Sequence, residues 1–301
     1  MSDGLDFNDP AAVIDVLDGA ADAMCLAACR VKSIVRIPPA NDGRLVATGD
    51  LHDNPFNLRK IIALAKLDAS PNHHVVLHEM IHGERLINGM DFSYRMLARV
   101  AELVVQYPEQ VHPLLANHEI AQMIGRGVSK GAGNSVHLFN DALEFVFGDA
   151  CQEVAEAINR FIRAMPLALI TDDPHDAGGG LLCAHSLPAE SSMKHFDRDV
   201  FARELTEADF RPPHGSAYLM TWGRNYTEEQ IEDLADYWGV ELFCLGHEHA
   251  ETGILTRGRR VVILNSDHEQ ARVLPIDLIA PPTAEEAPMY AVPLGAVSAE
   301  E

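Results

Sequence analysis

Asp50 and His52 in GDLHD, Glu79 in LHEMIHGER, Asn117 and His118 in ANHE, His185 in LLCAHS, and His247 and His249 in FCLGHEH carry side chains that can bind cations or move protons. Each group stands at the polar end of an apolar run that reads as a strand, or in the loop after it. Carboxylate oxygens, imidazole nitrogens and one amide oxygen form a mixed donor set. Such a set suits borderline divalent metals such as manganese, iron, zinc or cobalt better than a sulfur-rich one would. Taken singly these residues say little, since a lone histidine is more often a satisfied polar group and an acidic residue after a strand more often a cap. Their ordered combination carries the reading. Alternate side chains of an extended segment point the same way, so Asp50 and His52 are expected on one side of their strand end, and His247 and His249 on one side of theirs.

Strand ends in open α/β sheets converge on one edge, where side chains distant in sequence can meet around a ligand. The elements required alternate along the chain. Arg44 to Thr48 reads as a strand, Pro55 to Leu67 as a helix, His74 to Leu77 as a strand, Phe92 to Gln106 as a helix, Val111 to Leu115 as a strand, and Ile120 onward as a helix, which argues for an α/β fold. Two helices fit Val136 to Ala164. Strands follow at Leu167 to Thr171, Leu181 to Ala184, Glu241 to Leu245, Gly253 to Thr256, Val261 to Leu264 and Arg272 to Ile276. Thr227 to Trp238 reads as a capped helix with Glu228 and Glu229 in its first turn, where the helix dipole favours negative charge. Ala11 to Val31 reads as a helix packed on the main body. GRGVSKGAGN, Gly125 to Asn134, reads as a mobile loop, and DDPHDAGGG, Asp172 to Gly180, as a hairpin turn. The proline-, alanine- and glutamate-rich Pro281 to Glu301 reads as a tail that is partly disordered or laid on the surface.

Charge narrows the partners. With 23 basic and 45 acidic residues the net charge is −22, which opposes the nonspecific phosphate attraction of duplex-binding proteins. General nucleic-acid binding is therefore not expected. A phosphorylated substrate remains compatible, because bound divalent cations reverse the local field. MSDGLDFNDP lacks the basic start and apolar run of a secretion signal, and no stretch approaches the ~20 apolar residues of a membrane helix, so a cytoplasmic protein without a membrane partner is expected. The 5 cysteines are odd in number and lie in apolar segments, which reads as buried thiols; Cys25 and Cys29 are one helical turn apart, but no second pair accompanies them as a metal or redox motif would require. A Walker loop and a GxGxxG after a strand are missing from the sequence, and the adjacent pairs His185–Ser186 and Asp267–His268 do not supply triad geometry.

In order and spacing the motifs resemble those of the calcineurin-like metallophosphoesterases, whose sequences carry a GDxH, a GDxxDR, a GNHE, a histidine after a strand, and a GHxH. The likeness looks greatest to the phosphoprotein phosphatase branch and its bacterial relatives. It runs through FIRAMPLALI, LLCAHS, YLMTWGRNY, FCLGHEH and VVILNSDHEQARVLPIDL, from about Arg44 to Leu278. The resemblance implies two packed mixed β-sheets flanked by helices, a four-layer sandwich. It divides the chain into a helical extension over 1–40, a metallophosphoesterase domain over 41–279 and a tail over 280–301.

The resemblance also implies roles. Asp50, His52, Glu79 and His249 would hold one divalent transition-metal ion, and Glu79, Asn117, His185 and His247 a second, with Glu79 as bridge. His118 would stand beside the leaving group, and a water shared by the metals would attack phosphorus in line. Phosphoproteins, dinucleoside polyphosphates and small phosphomonoesters all fit as substrates. Several positions depart from the pattern. Glu79 replaces a bridging aspartate. His82 takes the place of the carboxylate that orients the active-site histidine, and cannot supply its negative charge. The neighbouring arginine falls on Gly83, although Arg85 is close. Ala116 replaces the glycine before NHE, and Ser186 and Leu187 a glycine pair, changes expected to crowd tight turns. Arg224, Arg126 and Lys130 are the candidates to replace the phosphate clamp. These departures keep a second reading open, a metal-stabilised binding module on the same fold with weak or lost catalysis.

Overall fold

The computed structural model describes residues 4–126, 129–130, 133–172 and 179–298. Helix α1 (Pro10–Leu26) opens it; the Asp9 carboxylate caps the helix by accepting the Ala11 N–H, and Val13, Leu17, Ala20 and Met24 form its buried stripe. The helix stops short of the expected Val31. The Ala28 and Cys29 N–H groups donate to the Glu109 carboxylate at 2.6 and 3.1 Å, which draws the backbone out of the helix. The chain then runs extended as β1 (Arg30–Val31) and β2 (Ile34–Ile37). The β-branched Ile34, Val35 and Ile37 suit a strand that is covered on both faces.

Next come β3 (Arg44–Ala47), α2 (Pro55–Ala65), β4 (His73–His78), α3 (Tyr94–Gln106), β5 (Val111–Leu114) and α4 (Asn117–Met123), as the alternating pattern predicts. A small ladder, β6 (Ser129–Lys130) with β7 (Gly133–Asn134), falls within the segment read as a mobile loop; the rest of that loop, 127–128 and 131–132, lies outside the described residues. Helices α5 (Ser135–Phe147) and α6 (Cys151–Ala164) lead to β8 (Ala168–Thr171) and β9 (Gly180–Ala184), which pair antiparallel; the predicted turn at 173–178 lies outside the described residues. Then follow α7 (Ser216–Trp222), α8 (Glu228–Trp238), β10 (Val240–Leu245), β11 (Ile254–Arg257), β12 (Val261–Leu264) and β13 (Arg272–Asp277). Thr227 caps α8 through its side chain, and Gly239 ends it in the left-handed conformation. The segment read as a tail is ordered through residue 298: α9 (Ala287–Tyr290) precedes β14 (Val292–Pro293), which pairs with β13, while Ala284, Ala287 and Leu294 are buried.

One sheet runs β1-β2-β8-β9-β10-β12-β11 and the other β14-β13-β3-β4-β5. In the first, β9, β10 and β12 are mutually parallel; in the second, β3, β4 and β5 are. Val35, Ile37, Leu45, Val76, Leu169, Cys183, Cys244, Leu264 and Leu274 fill the layer between the sheets. The outer faces pack against helices, with Leu17, Leu97, Phe161 and Leu234 among the residues of that second apolar cluster. These are the two mixed sheets and flanking helices that the sequence resemblance implies. Cys183 and Cys244 are buried free thiols as expected, whereas Cys25 is exposed. Among the described residues no helix is long and apolar enough to cross a membrane.

Candidate metal centre and active site

The parallel strands of both sheets end at one edge. Asp50 follows β3 and forms single bridges with His78 at the end of β4 and with Asn265 beyond β12, so it stands where the two sheets close on each other. Gly49 permits this approach, since an added Cβ would collide with the Leu264 carbonyl. On the other side, a Cβ on Gly246 would strike the Asp50 carboxylate and the His78 ring. With glycine there, the loop after β10 comes near enough for the His247 N–H to donate to Asp50 Oδ1 at 2.8 Å.

The loops do not continue the strands, which corrects the expectation of alternate side chains in extended segments. His52, Glu79, His82 and His247 all have positive φ, at 40°, 49°, 60° and 65°. Each such non-glycine residue carries a conformational cost of about 1–3 kcal/mol that the surrounding packing must offset. The loop of His52 is held to that of Glu79 by its own N–H, which donates to the Glu79 carbonyl at 2.8 Å. The second half of the pairing expectation also fails. His247 is buried within the cluster, whereas His249 is exposed at the rim of the cleft with its ring 5.9 Å from that of His268.

Glu79 is the meeting point. Its Oε1 lies 3.3 Å from His118 Nε2 and 3.7 Å from His52 Nε2, and its Oε2 lies 3.1 Å from His185 Nε2. His185 Nε2 is also 2.7 Å from Asn117 Oδ1 and 3.1 Å from His247 Nδ1. Two sets of donors thus share Glu79: His52 with His118, and His185 with His247. A single nitrogen can carry one proton, yet two acceptor oxygens, of Glu79 and Asn117, and a second ring nitrogen, of His247, converge on His185 Nε2. Glu79 Oε2 and His247 Nε2 are buried with no hydrogen-bond partner. The Asp50 carboxyl group is buried in the same pocket and feels the charge of Glu79. Buried facing carboxylates, orphaned acceptors and donor atoms about 3 Å apart fit cations bound at ~2.0–2.2 Å by oxygen and nitrogen.

The protonation preferences agree with this. Burial, and next the charge of Glu79, push the Asp50 carboxyl well above its usual range. Burial would raise Glu79 too, but His118, His185 and His52 around it hold it well below. Burial and the neighbouring His185 take His247 down to about 2, leaving a neutral ring able to act as a ligand.

His118 lies with its ring centroid 5.4 Å from that of His82. His82 occupies the carboxylate position of the family pattern, but it does not stand alone. Its Nδ1 is 2.8 Å from Asp91 Oδ2, and Asp91 Oδ1 accepts the Ser93 N–H at 2.9 Å. The negative charge that the sequence reading found missing sits one ring further back, on a buried aspartate. The displaced arginine has a steric cause: a Cβ on Gly83 would collide with the His52 carbonyl, so no side chain fits there. Arg85 lines the cleft instead, held by Asp53 at 3.0 Å, and Arg224 lines it with Nη2 3.4 Å from the His247 carbonyl oxygen. Arg126 is exposed and does not line the cleft; the side chain of Lys130 lies outside the described residues. The other two departures crowd nothing. Ala116 is in ordinary extended backbone at φ −128°, and the Ser186 hydroxyl donates to the Gly223 carbonyl at 2.6 Å.

Sequence reasoning missed His78, Asp53, Asp91 and Glu119. The available signal was polarity within otherwise apolar runs, which shows that a group is unusual and not what it faces. Glu119 accepts the Met80 N–H at 2.7 Å through Oε1, while its buried Oε2 has no partner. Burial, followed by the charge of Glu79, raises it from 4.5 to about 8. A raised carboxyl means that the folded state holds the proton longer than the unfolded chain. Its contribution to stability is therefore intact below pH 4.5 and declines as pH rises toward 8. Glu119→Gln removes that decline. In chelator, its stability advantage over wild type should widen by on the order of 2 kcal/mol between pH 6 and pH 9. Urea unfolding at both pH values checks this, and a constant difference would contradict it.

The cleft, about 670 Å³ in volume, is lined by Asp50, His52, Glu79, Asn117, His118 and His247, with Phe56 and Trp222 among its other lining residues. Similar folds occur among phosphatases. A protein serine/threonine phosphatase from Saccharomyces cerevisiae with similarity to human phosphatase PP5 superposes with a TM-score of 0.60 at 14% identity, over 89% of this chain and 82% of that one. A cold-active protein-tyrosine phosphatase of a psychrophilic Shewanella species gives 0.58 at 15% identity, over 82% of this chain and 78% of that one. Among curated proteins, none matches the sequence significantly. The family match itself covers residues 43–251, from the start of β3 to beyond the GHEH loop, and so takes in every strand end that supplies the cluster. On that match the chain belongs to the calcineurin-like phosphoesterases, a family of phosphoric ester hydrolases.

Proposed function

We propose that this chain hydrolyses a phosphate ester with two divalent transition-metal ions seated in the cleft. The observation that carries the reading is the sharing of Glu79 between two sets of donor atoms. Asp50, His52 and Glu79 would hold one ion, with His249 closing the set from the rim; Glu79, Asn117, His185 and His247 would hold the other. Bound there, the cations supply Lewis-acid charge to the phosphoryl oxygens and acidify a water. Manganese, iron, zinc and cobalt all suit the donors.

The protein's own groups do the rest. Arg85 and Arg224 bind phosphate oxygens at the mouth of the cleft, where a planar guanidinium offers two parallel donors. His118 stands beside the leaving oxygen to hand it a proton, and His82, backed by Asp91, steadies the His118 ring. Two of the similar folds are, by name, protein phosphatases, which supports phosphorylated protein as the substrate class; the sequence resemblance also admits a dinucleoside polyphosphate.

Metal analysis of the purified protein, paired with hydrolysis of an aryl phosphate, a phosphopeptide set and a dinucleoside polyphosphate, tests the reading. Two ions per chain and turnover that is lost in chelator and in Asp50→Asn are expected. Bound metal without turnover on any of these compounds would replace the enzyme by the metal-stabilised binding module.

A further inference from the structure

His78 stands where the family pattern places a glycine, immediately before Glu79, and its side chain is buried. Its Nε2 lies 2.8 Å from the Thr48 carbonyl oxygen. A carbonyl can only accept, so this nitrogen carries the hydrogen. In a neutral imidazole one nitrogen carries the hydrogen and the other a lone pair, so with Nε2 donating to Thr48 the Nδ1 of this buried ring is an acceptor. Nδ1 faces His185 Nδ1 at 3.1 Å. Between two ring nitrogens one must donate, and His78 has no second hydrogen to give. His185 therefore carries its hydrogen on Nδ1, which leaves a lone pair on Nε2, the nitrogen surrounded by Glu79, Asn117 and His247. Gly246 makes room for this chain, since a Cβ there would collide with the His78 ring.

We propose that His78 is a positioning residue for the metal centre, holding His185 in the one tautomer whose Nε2 can bind a cation. The inference rests on the assignment of His185 as a ligand. It also accounts for the crowding at Nε2, where the lone pair faces the acceptor oxygens of Glu79 and Asn117, an arrangement that a cation among them would relieve. A partner that hydrogen-bonds the outer nitrogen of a ligating histidine fixes the orientation of its ring and raises its basicity; loss of such a partner weakens metal binding by roughly 10–100-fold.

Two substitutions separate this role from simple filling of space. His78→Asn puts an amide oxygen near the place of Nδ1 and keeps an acceptor for His185. His78→Gln can reach Thr48 but places no acceptor there. In competition with a chromophoric chelator, His78→Gln should bind zinc about 10–100-fold more weakly at one of two sites. His78→Asn should stay close to wild type. Nitrogen-15 spectra of the metal-free wild type should show His185 with its hydrogen on Nδ1, a readout that needs neither turnover nor a folded variant. Wild-type affinity in His78→Gln, equal weakening in both variants, or a hydrogen on Nε2 would overturn the role of His78. A wild-type chain that takes up no divalent cation would remove the metal assignment itself, and the inference with it.

Discussion

Glu79→Gln should lower turnover of an aryl phosphate by at least about 10³-fold and reduce metal content at both sites, because Glu79 belongs to both the donor group of His52 and His118 and that of His185 and His247. The amide keeps the length of the side chain but loses the charge, and its nitrogen cannot act as a ligand oxygen. Asp50 gives the companion signal. Its carboxyl is raised by burial and by the charge of Glu79, so with position 79 neutral it should ionise more easily in the metal-free variant than in metal-free wild type. Glu79→Asp restores the residue of the family pattern but shortens the side chain by one C–C bond, about 1.5 Å. In a pocket built around the longer acid it should retain metal yet turn over more slowly than wild type. Metal analysis and single-turnover rates on the two variants check this pair of outcomes. Full activity in Glu79→Gln would mean that the chemistry does not pass through this cluster.

His118→Ala should slow turnover by about 10²–10⁴-fold, the range for loss of a positioned acid, while metal content stays nearly intact. The second half of that statement is the more exposed, because His118 Nε2 lies only 3.3 Å from Glu79 Oε1 and shares a donor cluster with it. Stoichiometric metal loss in His118→Ala would reassign it from proton donor to ligand. Asp91→Asn should move kcat in the same direction by a smaller factor, with KM and metal content unchanged, since Asp91 acts on His118 only through His82. His82→Asp in the Asp91→Asn background, which brings a carboxylate directly beside His118, should recover part of the loss. A general packing defect would show no such recovery.

Much of this was legible in the chain. The alternation of apolar runs with amphipathic stretches places β3, β4, β5, β9, β10 and β12 within a few residues of their observed bounds, because a strand covered on both faces must be apolar along its length. Polar residues at the ends of those runs marked the ligand-bearing loops, and their order carried the family. Boundaries at the two ends of the chain were less readable. Residues 28–37 continue an apolar pattern that a helix would also satisfy, and it is the Glu109 carboxylate, 80 residues away, that takes the N–H groups a helix would have used. The tail looked unstructured by composition, yet Val292 and Pro293 find an open edge on β13, which no local property announces.

At the centre itself the division is sharper. Residue types determined what chemistry was available: carboxylates, imidazoles and an amide at strand ends, competent for divalent cations. The order of the motifs determined the family. Tertiary structure alone decided that His249 sits at the rim, that Arg85 lines the cleft while Gly83 has no room for a side chain, that the buried Asp91 carboxylate backs His82, and that His78 faces His185. The physical reason is the same in each case. A side chain's chemistry is carried by its own atoms, but its direction and its partners depend on left-handed turns and close backbone approaches between segments far apart in the chain, and these exist only once the two sheets have packed.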